Sequence, residues 1–371
     1  DYLAGRIDFF GHGALEVGEP VAWQRDPVTG TGAPREFGKS IDYRNDRLVG
    51  NIKFTWELGR HQHLVSLAVA YAVSGETRYR NAVVEQVEGW IEDNPFAIGI
   101  HWCSALEVSL RLVSWALVHS LMVLRDGEAG LFAVVRNPRQ LGISIYQQAY
   151  FVRHFLSRHS SANNHLIGEL CGLWVACQTF DLGPAGQAWG ELAHAELERE
   201  AKLQVHADGV DREQAGYYHL WVLEYFLFSW LVGVRSGKEF STEFTNTMLA
   251  MARFLEDIRP DGGEPPQLGD ADDGFVARFV PSWGRKPYNE LLSALHAVFG
   301  KAEPAGSEKA FWYRAMLFAR VQAVPEFRWQ RSYPVIYPQG GYVIMGGGGC
   351  HLVFDAGPLG YLGIAAHGHA D

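Results

Sequence analysis

Most of this chain repeats its apolar residues with the helical period of about 3.6 residues, and this pattern restricts the fold more than any other feature. It begins near Lys53 and continues to about residue 322, with Gly, Pro and Asn interrupting it at short intervals. The helices fall into successive pairs of about 40–50 residues, which is typical of hairpins stacked into a solenoid or a closed ring. No letter-by-letter repeat accompanies the pairs, so the pattern predicts architecture alone.

The positions of single helices follow from the same spacing and from the breaks between the apolar runs. We predict helices at about 53–74 and 78–92, from about 104 onwards, and near 138–157, 163–181, 186–205, 213–236, 241–257, 286–299 and 308–322.

The character of the chain changes after about Pro325, where short β-branched and aromatic runs separated by glycines predict antiparallel strands. The runs are Tyr333–Tyr337, Gly341–Met345 and His351–Asp355. Three strands bury too little surface to form a stable domain. We therefore expect this chain to be a fragment of a longer protein. The predicted organisation is an irregular segment at 1–50, a helical domain at 51–325 and the beginning of an antiparallel β-sheet domain at 326–371.

Composition restricts the class of protein and of partner. Apolar residues make up 47% of the 371 positions, enough for a large core, and the aromatic fraction of 13% suits either sugar-binding grooves or a large helical core. The net charge of −10 argues against a nucleic-acid partner. An acidic chain still binds an acidic polymer when its positive groups are gathered in one cleft, so charge neither supports nor excludes a polyanion.

The sequence contains no uninterrupted apolar stretch of about 18 residues, so we predict no membrane span. It begins at Asp1 rather than at methionine, which fits either removal of a leader or an incomplete sequence. We expect a periplasmic or secreted location. The sequence does not indicate an oligomeric state.

Polar residues precede an apolar helical run at Ser160–Glu169, where Asn164 and His165 are predicted to lie at the start of a buried helix. A helix start offers unpaired N–H groups and the positive end of the peptide dipole, which together favour a carboxylate. An amide and an imidazole added there would hold a bound anion. The alternative is a capped helix with a satisfied core histidine.

A second polar turn, Asp208–Ala215, leads into a helix that begins with Tyr217, Tyr218 and His219. This order brings two tyrosines and a histidine to the mouth of a helix. The alternative is an ordinary amphipathic helix whose tyrosine rings lie in the core.

His367 and His369 alternate near the end of the chain, so on a strand they share one face, with Asp371 as a third candidate ligand. A His-x-His pair of this kind is half of a workable zinc site. The acidic run Gly269–Gly274 has the composition of a calcium loop but lacks the downstream glutamate, so we interpret it as a polar loop.

These motifs, in this order, resemble the heparinase II/III-like polysaccharide lyases. The resemblance rests on Asn163-Asn164-His165, on Asp-Gly followed by Gln-Ala-x-Tyr-Tyr-His at 208–219, and on His-Gly-His-Ala-Asp at 367–371. Trp56–Arg60 and Trp102–Glu107 are also similar to the helical part of that family. The resemblance implies an incomplete α/α toroid followed by antiparallel β-sheets, so that the expected fold is mainly α with a β portion at the C-terminus.

The family's activity is β-elimination at uronic acids in polysaccharides. It requires donors that neutralise the uronate carboxylate, a base for the C5 proton and an acid for the leaving oxygen. The resemblance places Asn164 and His165 on the carboxylate, Tyr218 as acid with the role of base left open, and His367 as a second acid or base. It places His369 on a structural zinc ion, whose other ligands are expected beyond Asp371. The substrate-binding candidates are Glu57, Arg60, Trp102, Glu107, Tyr217 and His219.

Two other classes stay open at this point. An α/α-barrel glycoside hydrolase needs two opposed carboxylates, for which Asp211, Glu213 and Asp270 are available. A non-catalytic protein that binds acidic sugars would keep the aromatic residues without requiring Tyr218 and His367 to meet. The expected partner is an acidic polysaccharide, and the sequence does not select heparan sulfate, hyaluronan, chondroitin, alginate or a bacterial exopolysaccharide.

Overall fold

The fold is mainly helical, with a small antiparallel sheet near the C-terminus, as the sequence predicts. In a computed structural model of the chain, the described residues are 2–127, 129–260, 263–279, 286–300, 308–317, 330–362 and 366–368.

Twelve α-helices occupy the described residues. They are α1 (Asp46–Val49), α2 (Ile52–Gly59), α3 (Gln62–Ser74), α4 (Thr77–Asp93), α5 (Ala105–Asp126), α6 (Pro138–His154), α7 (Asn164–Thr179), α8 (Gly183–Gln204), α9 (Gly216–Ser236), α10 (Thr242–Asp257), α11 (Pro287–Phe299) and α12 (Glu308–Leu317). Most predicted helices match these bounds closely. The predicted helix at 53–74 is instead divided at Arg60 and His61 into α2 and α3, and the short α1 was not predicted. The predicted end of the last helix, at 322, lies outside the described residues.

The described residues also contain short 3-10 turns and five short strands: β1 (Arg6–Asp8), β2 (Ala14–Glu16), β3 (Val335–Tyr337), β4 (Tyr342–Gly347) and β5 (Cys350–Asp355). The β3–β4–β5 sheet is antiparallel throughout, with Tyr337 opposite Tyr342 and Tyr342 opposite Asp355. The β1–β2 hairpin lies within the segment that the sequence predicts to be irregular. Between 60 and 317 the described residues contain helices and no strand. The change of character near Pro325 lies outside the described residues, and the predicted domain boundary there stays a prediction.

The chain divides into two compact units. Unit 1 comprises Asp1–Leu156, Gly172–Gly190 and Ala277–Gly284, and unit 2 comprises Ser157–Cys171, Glu191–Val276 and Arg285–Asp371.

In unit 1, α3 packs on α4 and α5, and α5 packs on α6. Helix α4 shows why these elements form, because its fully buried Val83, Val87 and Trp90 recur about every three to four residues and produce one apolar face. Helix α5 is long and apolar enough to cross a membrane by length and composition, although it carries Glu107 and Arg111. The most apolar 18 residues of α5 are 83% buried within the protein, and the core helix of a protein without a membrane span meets the same criteria.

In unit 2, α9 packs against α10, α11 and α12. Every residue of α9 from Gly216 to Val234 is buried, so this helix is enclosed on all sides within the unit. The rings of Tyr217 and Tyr218 therefore belong to the core as well as to the start of the helix. This burial fixes both rings in place, which a catalytic group requires.

Candidate functional site

Asn164 begins α7 and is completely buried. Its backbone N–H donates to Glu213 Oε1 at 2.9 Å, and its side-chain Nδ2 donates to Glu213 Oε2 at 3.0 Å. The helix start thus holds a carboxylate, as the dipole argument predicts, but this carboxylate belongs to the protein itself. Asn164 Oδ1 is buried without a hydrogen-bond partner among the described residues.

The turn before α9 delivers Glu213 to that helix start. The backbone N–H of Glu213 donates to Asp211 Oδ1 at 2.7 Å, and the N–H of Asp211 donates to His219 Nδ1 at 3.3 Å. Gln214 follows with φ of +58°, a left-handed conformation that is unfavourable for a residue with a side chain. Its side-chain amide is buried, with no partner for either polar atom among the described residues. Strain and unsatisfied polar atoms together are typical of functional segments.

His219 connects this turn to α10. Its Nε2 lies 3.0 Å from the Met251 carbonyl oxygen, so with Nδ1 accepting from Asp211 both ring nitrogens have backbone partners. Burial lowers the pKa of His219 to about 4, so the ring is neutral, with its proton on Nε2. These contacts account for His219 as part of the framework, and its predicted contact with substrate stays a prediction.

The two adjacent tyrosines have different environments. The hydroxyl of Tyr217 donates to the Gly274 carbonyl oxygen at 3.2 Å, and its ring meets Tyr288 edge-on. The ring of Tyr218 stacks on His367, with 3.7 Å between the centroids and 12° between the planes. The Tyr218 hydroxyl has no hydrogen-bond partner in the described part of the chain. Residue 218 is therefore the tyrosine whose hydroxyl is not used by the fold.

His367 is held by the loop that contains Gly269 and Asp270. The N–H of Asp270 donates to the His367 carbonyl oxygen at 3.0 Å, and Asp270 Oδ2 lies 3.3 Å from His367 Nδ1. Gly269 has φ of +62°, and a Cβ at this position would overlap the same carbonyl oxygen. On the other side of the ring, His367 Nε2 lies 3.8 Å from Glu213 Oε2. The imidazole is thus flanked by two carboxylates and a phenol.

Burial and neighbouring carboxylates shift the pKa values of this group. Burial, with Asp272, Glu213 and Asp270, raises the pKa of Tyr218 well above its usual range, so the phenol keeps its proton at neutral pH. Burial and the nearby Glu213 raise the pKa of Asp211. Burial also raises the pKa of Glu213, against the opposing effect of the Asn164 donors and His367.

The predicted residues near α2 and α5 form a separate cluster inside unit 1. Arg60 donates to both carboxylate oxygens of Glu107, at 2.7 and 3.0 Å, and to Glu57 at 2.9 Å. Arg278 also approaches Glu57, at 3.5 Å. Trp102 is 1% exposed and contacts other aromatic rings. These contacts describe a buried ion-pair cluster, and a role in substrate binding stays a prediction.

His165 lies beside Asn164 but is exposed, and its backbone N–H donates to Asn163 Oδ1 at 3.1 Å. His369 lies outside the described residues, as does Asp371. Within the described part of the chain, no group of three His, Cys, Asp or Glu side chains could hold a metal ion. The described residues thus supply no zinc site, and zinc stays a prediction.

Unit 2 therefore brings together Asn164, Tyr218 and His367, with Glu213 and Asp270 between and beside them. The sequence interpretation missed the contacts of Glu213 and Asp270. Glu213 lies inside the motif at 208–219, and this position was the sequence signal that could have identified it as a site residue. Asp270 lies in the acidic run Gly269–Gly274, which resembles a calcium loop in composition and which the sequence analysis interpreted as a polar loop.

Comparison with known proteins identifies a family and a shared fold. A family model for the N-terminal region of heparinase II/III matches residues 7–278. A heparin-sulfate lyase of Pedobacter heparinus is 26% identical over 294 residues, covering 76% of this chain and 40% of that protein. A heparin-sulfate lyase of Bacteroides stercoris is 24% identical over 289 residues, covering 71% of this chain and 42% of that protein. The chain thus spans less than half the length of these two relatives.

Two solved structures share the fold. The heparan sulfate lyase HepC from Pedobacter heparinus superposes with a TM-score of 0.59 at 20% identity, covering 97% of this chain and 50% of that one. A crystal structure of heparinase III superposes with a TM-score of 0.60 at 19% identity, covering 82% of this chain and 45% of that one. These matches agree with the predicted combination of a helical body and a C-terminal sheet.

Proposed function

The chain belongs to the heparinase II/III N-terminus family, and we propose on this premise that the protein is a polysaccharide lyase. It cleaves a polysaccharide that contains uronic acid by β-elimination and leaves a 4,5-unsaturated uronic acid. The observation that carries the proposal is the stacking of Tyr218 on His367 beside the Glu213-bound Asn164. A phenol, an imidazole and an amide are the groups that the elimination needs in one place.

The uronate carboxylate is the first problem for such an enzyme, because its negative charge keeps the C5 proton weakly acidic. We propose that Asn164 and His165 donate to this carboxylate. His165 is exposed, whereas Asn164 has no exposed surface, so a uronate reaches Asn164 only after the neighbouring chain opens locally. Donors held in a protein stabilise the charge that grows as the proton leaves.

The proton transfers then divide between two side chains. Tyr218 keeps its proton because of its raised pKa, so we assign it as the general acid that protonates the leaving O4. His367 lies against the same phenol and is the candidate base for C5. The base takes the C5 proton, the C4–O4 bond breaks, C4 and C5 become doubly bonded, and O4 receives the tyrosine proton.

The substrate that we propose to test first is heparan sulfate, because the relatives are named heparin-sulfate lyases. A panel should also contain hyaluronan, chondroitin, alginate and a bacterial exopolysaccharide with uronic acid. The full-length natural protein is incubated with each polymer. Ultraviolet absorbance then reports the conjugated double bond, and an independent assay counts new reducing ends. Absorbance with reducing ends supports the lyase, whereas reducing ends without absorbance indicate a glycoside hydrolase.

Asn164→Ala tests the role of the carboxylate donors on the best polymer of that panel. We expect a larger loss in kcat than in ground-state binding, because the carboxylate gains negative charge in the transition state. An increase in KM with unchanged kcat would contradict this assignment.

We further propose a structural zinc ion with His369 as one ligand, and a periplasmic or secreted location. Metal analysis of the dialysed full-length protein tests the first, with loss of stability but unchanged active-site geometry expected after chelation. Fractionation of the host cell tests the second.

A further inference from the structure

Glu213 differs in its partners from most of the other deeply buried glutamates in the described part of the chain. Glu57 and Glu107 pair with Arg60, Glu200 pairs with Arg199, Glu224 pairs with Lys309, and Glu256 pairs with Arg259. Glu169 instead accepts from the backbone N–H and the hydroxyl of Ser157. Glu213 is 4% exposed, and its ionic partner within the described part of the chain is His367, at 3.8 Å. A buried carboxylate without a lysine or arginine partner has a large desolvation free energy, which destabilises the fold. Its presence at this position therefore needs a reason other than stability.

The geometry of the carboxylate supplies that reason. Its two oxygens accept from the backbone N–H and the side-chain Nδ2 of the same residue, Asn164. An amide group is planar, so fixing one N–H of Nδ2 also fixes the direction of the second N–H and of Oδ1. The chain of contacts from Asp211 to Glu213 and the left-handed backbone at Gln214 hold the carboxylate in this place.

We propose that Glu213 is a positioning residue. It orients the Asn164 amide toward the uronate carboxylate and keeps this amide at a fixed position relative to His367. This inference rests on the proposed lyase function and deepens it. In this proposal Glu213 acts through Asn164 rather than on the sugar, because each of its oxygens accepts a hydrogen bond from that residue. A misplacement of about 1 Å in a positioned group lowers the rate on the order of 100-fold.

The test compares Glu213→Gln with Glu256→Gln in the full-length natural protein. Glutamine at 213 presents an NH2 group to one of the two Asn164 donors, so the clamp is lost while the volume is kept. Glu256 is a matched control, because it is equally buried in unit 2, is paired with Arg259 and His296, and contacts none of the site residues. We expect Glu213→Gln to lower kcat on the order of 100-fold with a change in KM below about threefold. Glu256→Gln should lower the melting temperature and leave kcat unchanged.

A double variant distinguishes positioning from a separate catalytic effect. If Glu213 acts through Asn164, then Glu213→Gln combined with Asn164→Ala loses no more kcat than Asn164→Ala alone. Multiplicative losses, or a Glu213→Gln variant with kcat within about twofold of the wild type, would overturn the inference. If Glu213→Gln does not fold, Glu213→Asp replaces it, since aspartate keeps the charge but is one methylene too short to reach both donors. Wild-type protein that cleaves no polymer of the panel refutes the proposed function instead, so the two failures are distinguishable.

Discussion

Tyr218→Phe is the most informative single change, because it removes one hydroxyl and keeps the ring. The ring stacks on His367 at 3.7 Å and phenylalanine preserves that contact. The hydroxyl has no hydrogen-bond partner in the described residues, so we expect the free energy of unfolding to change by less than about 0.5 kcal/mol. Turnover should fall by about 100- to 10,000-fold, because the acid that protonates O4 is lost.

Tyr217→Phe is the matched control, and the structure predicts the opposite result. Its hydroxyl donates to the Gly274 carbonyl at 3.2 Å, so its removal should lower the free energy of unfolding by about 1 kcal/mol. The loss of turnover should be much smaller than in Tyr218→Phe, because the Tyr217 hydroxyl is already bound to a backbone carbonyl. Product absorbance and thermal unfolding are measured on both variants of the full-length natural protein. Tyr218→Phe should show the larger loss of turnover, and Tyr217→Phe should show the larger loss of stability.

Two results would refute this reasoning. Near-full activity in Tyr218→Phe with loss of activity in Tyr217→Phe would mean that the acid was assigned to the wrong tyrosine. Full activity in both variants would mean that the start of α9 is structural, and that the stacking of Tyr218 on His367 serves packing alone.

Three further predictions concern stability. Arg60→Met should lower the free energy of unfolding by about 3–5 kcal/mol in denaturant titrations, because buried Glu107 loses its ionic partner and Glu57 loses one of two. Arg136→Met, at an exposed ion pair, should leave the free energy of unfolding unchanged. Gln214→Gly should raise the free energy of unfolding by about 1–2 kcal/mol, since glycine tolerates the left-handed backbone, and should lower activity. A variant less stable than the wild type would contradict the inference that the backbone at Gln214 is strained. Burial lowers the pKa of His63 to about 4 and of His101 to about 3, so the unfolded state binds more protons below about pH 6.5. Stability should therefore fall as the pH drops from about 6.5 towards 4. The profile should be shallower in His63→Gln than in the wild type, and an unchanged slope would contradict the contribution of His63.

The helices could be predicted from the sequence because their signal is local. Val83, Val87 and Trp90 reveal the buried face of α4 within two turns, and Gly348 and Gly349 separate β4 from β5. The start of α7 at Asn164 also follows from nearby residues.

The partners within the site could not be predicted in the same way, because they are distant in sequence. Glu213 reaches Asn164 across 49 residues, and Asp270 reaches His367 across 97. No spacing rule links these pairs, since their approach depends on the packing of whole helices. The family resemblance indicated Asn164, Tyr218 and His367, whereas their hydrogen-bond and stacking partners are seen only in the folded structure.

The attachment of His367 to the Gly269–Asp270 turn has a consequence for protein engineering. The turn contacts the C-terminal segment through the His367 backbone carbonyl and through the His367 imidazole. Position 269 has no room for a side chain. A chimera that receives the C-terminal region of a relative will therefore inherit a misplaced imidazole unless residues 268–274 are transplanted with it. The exchangeable module consists of two stretches of sequence, and recombination at a single crossover divides it.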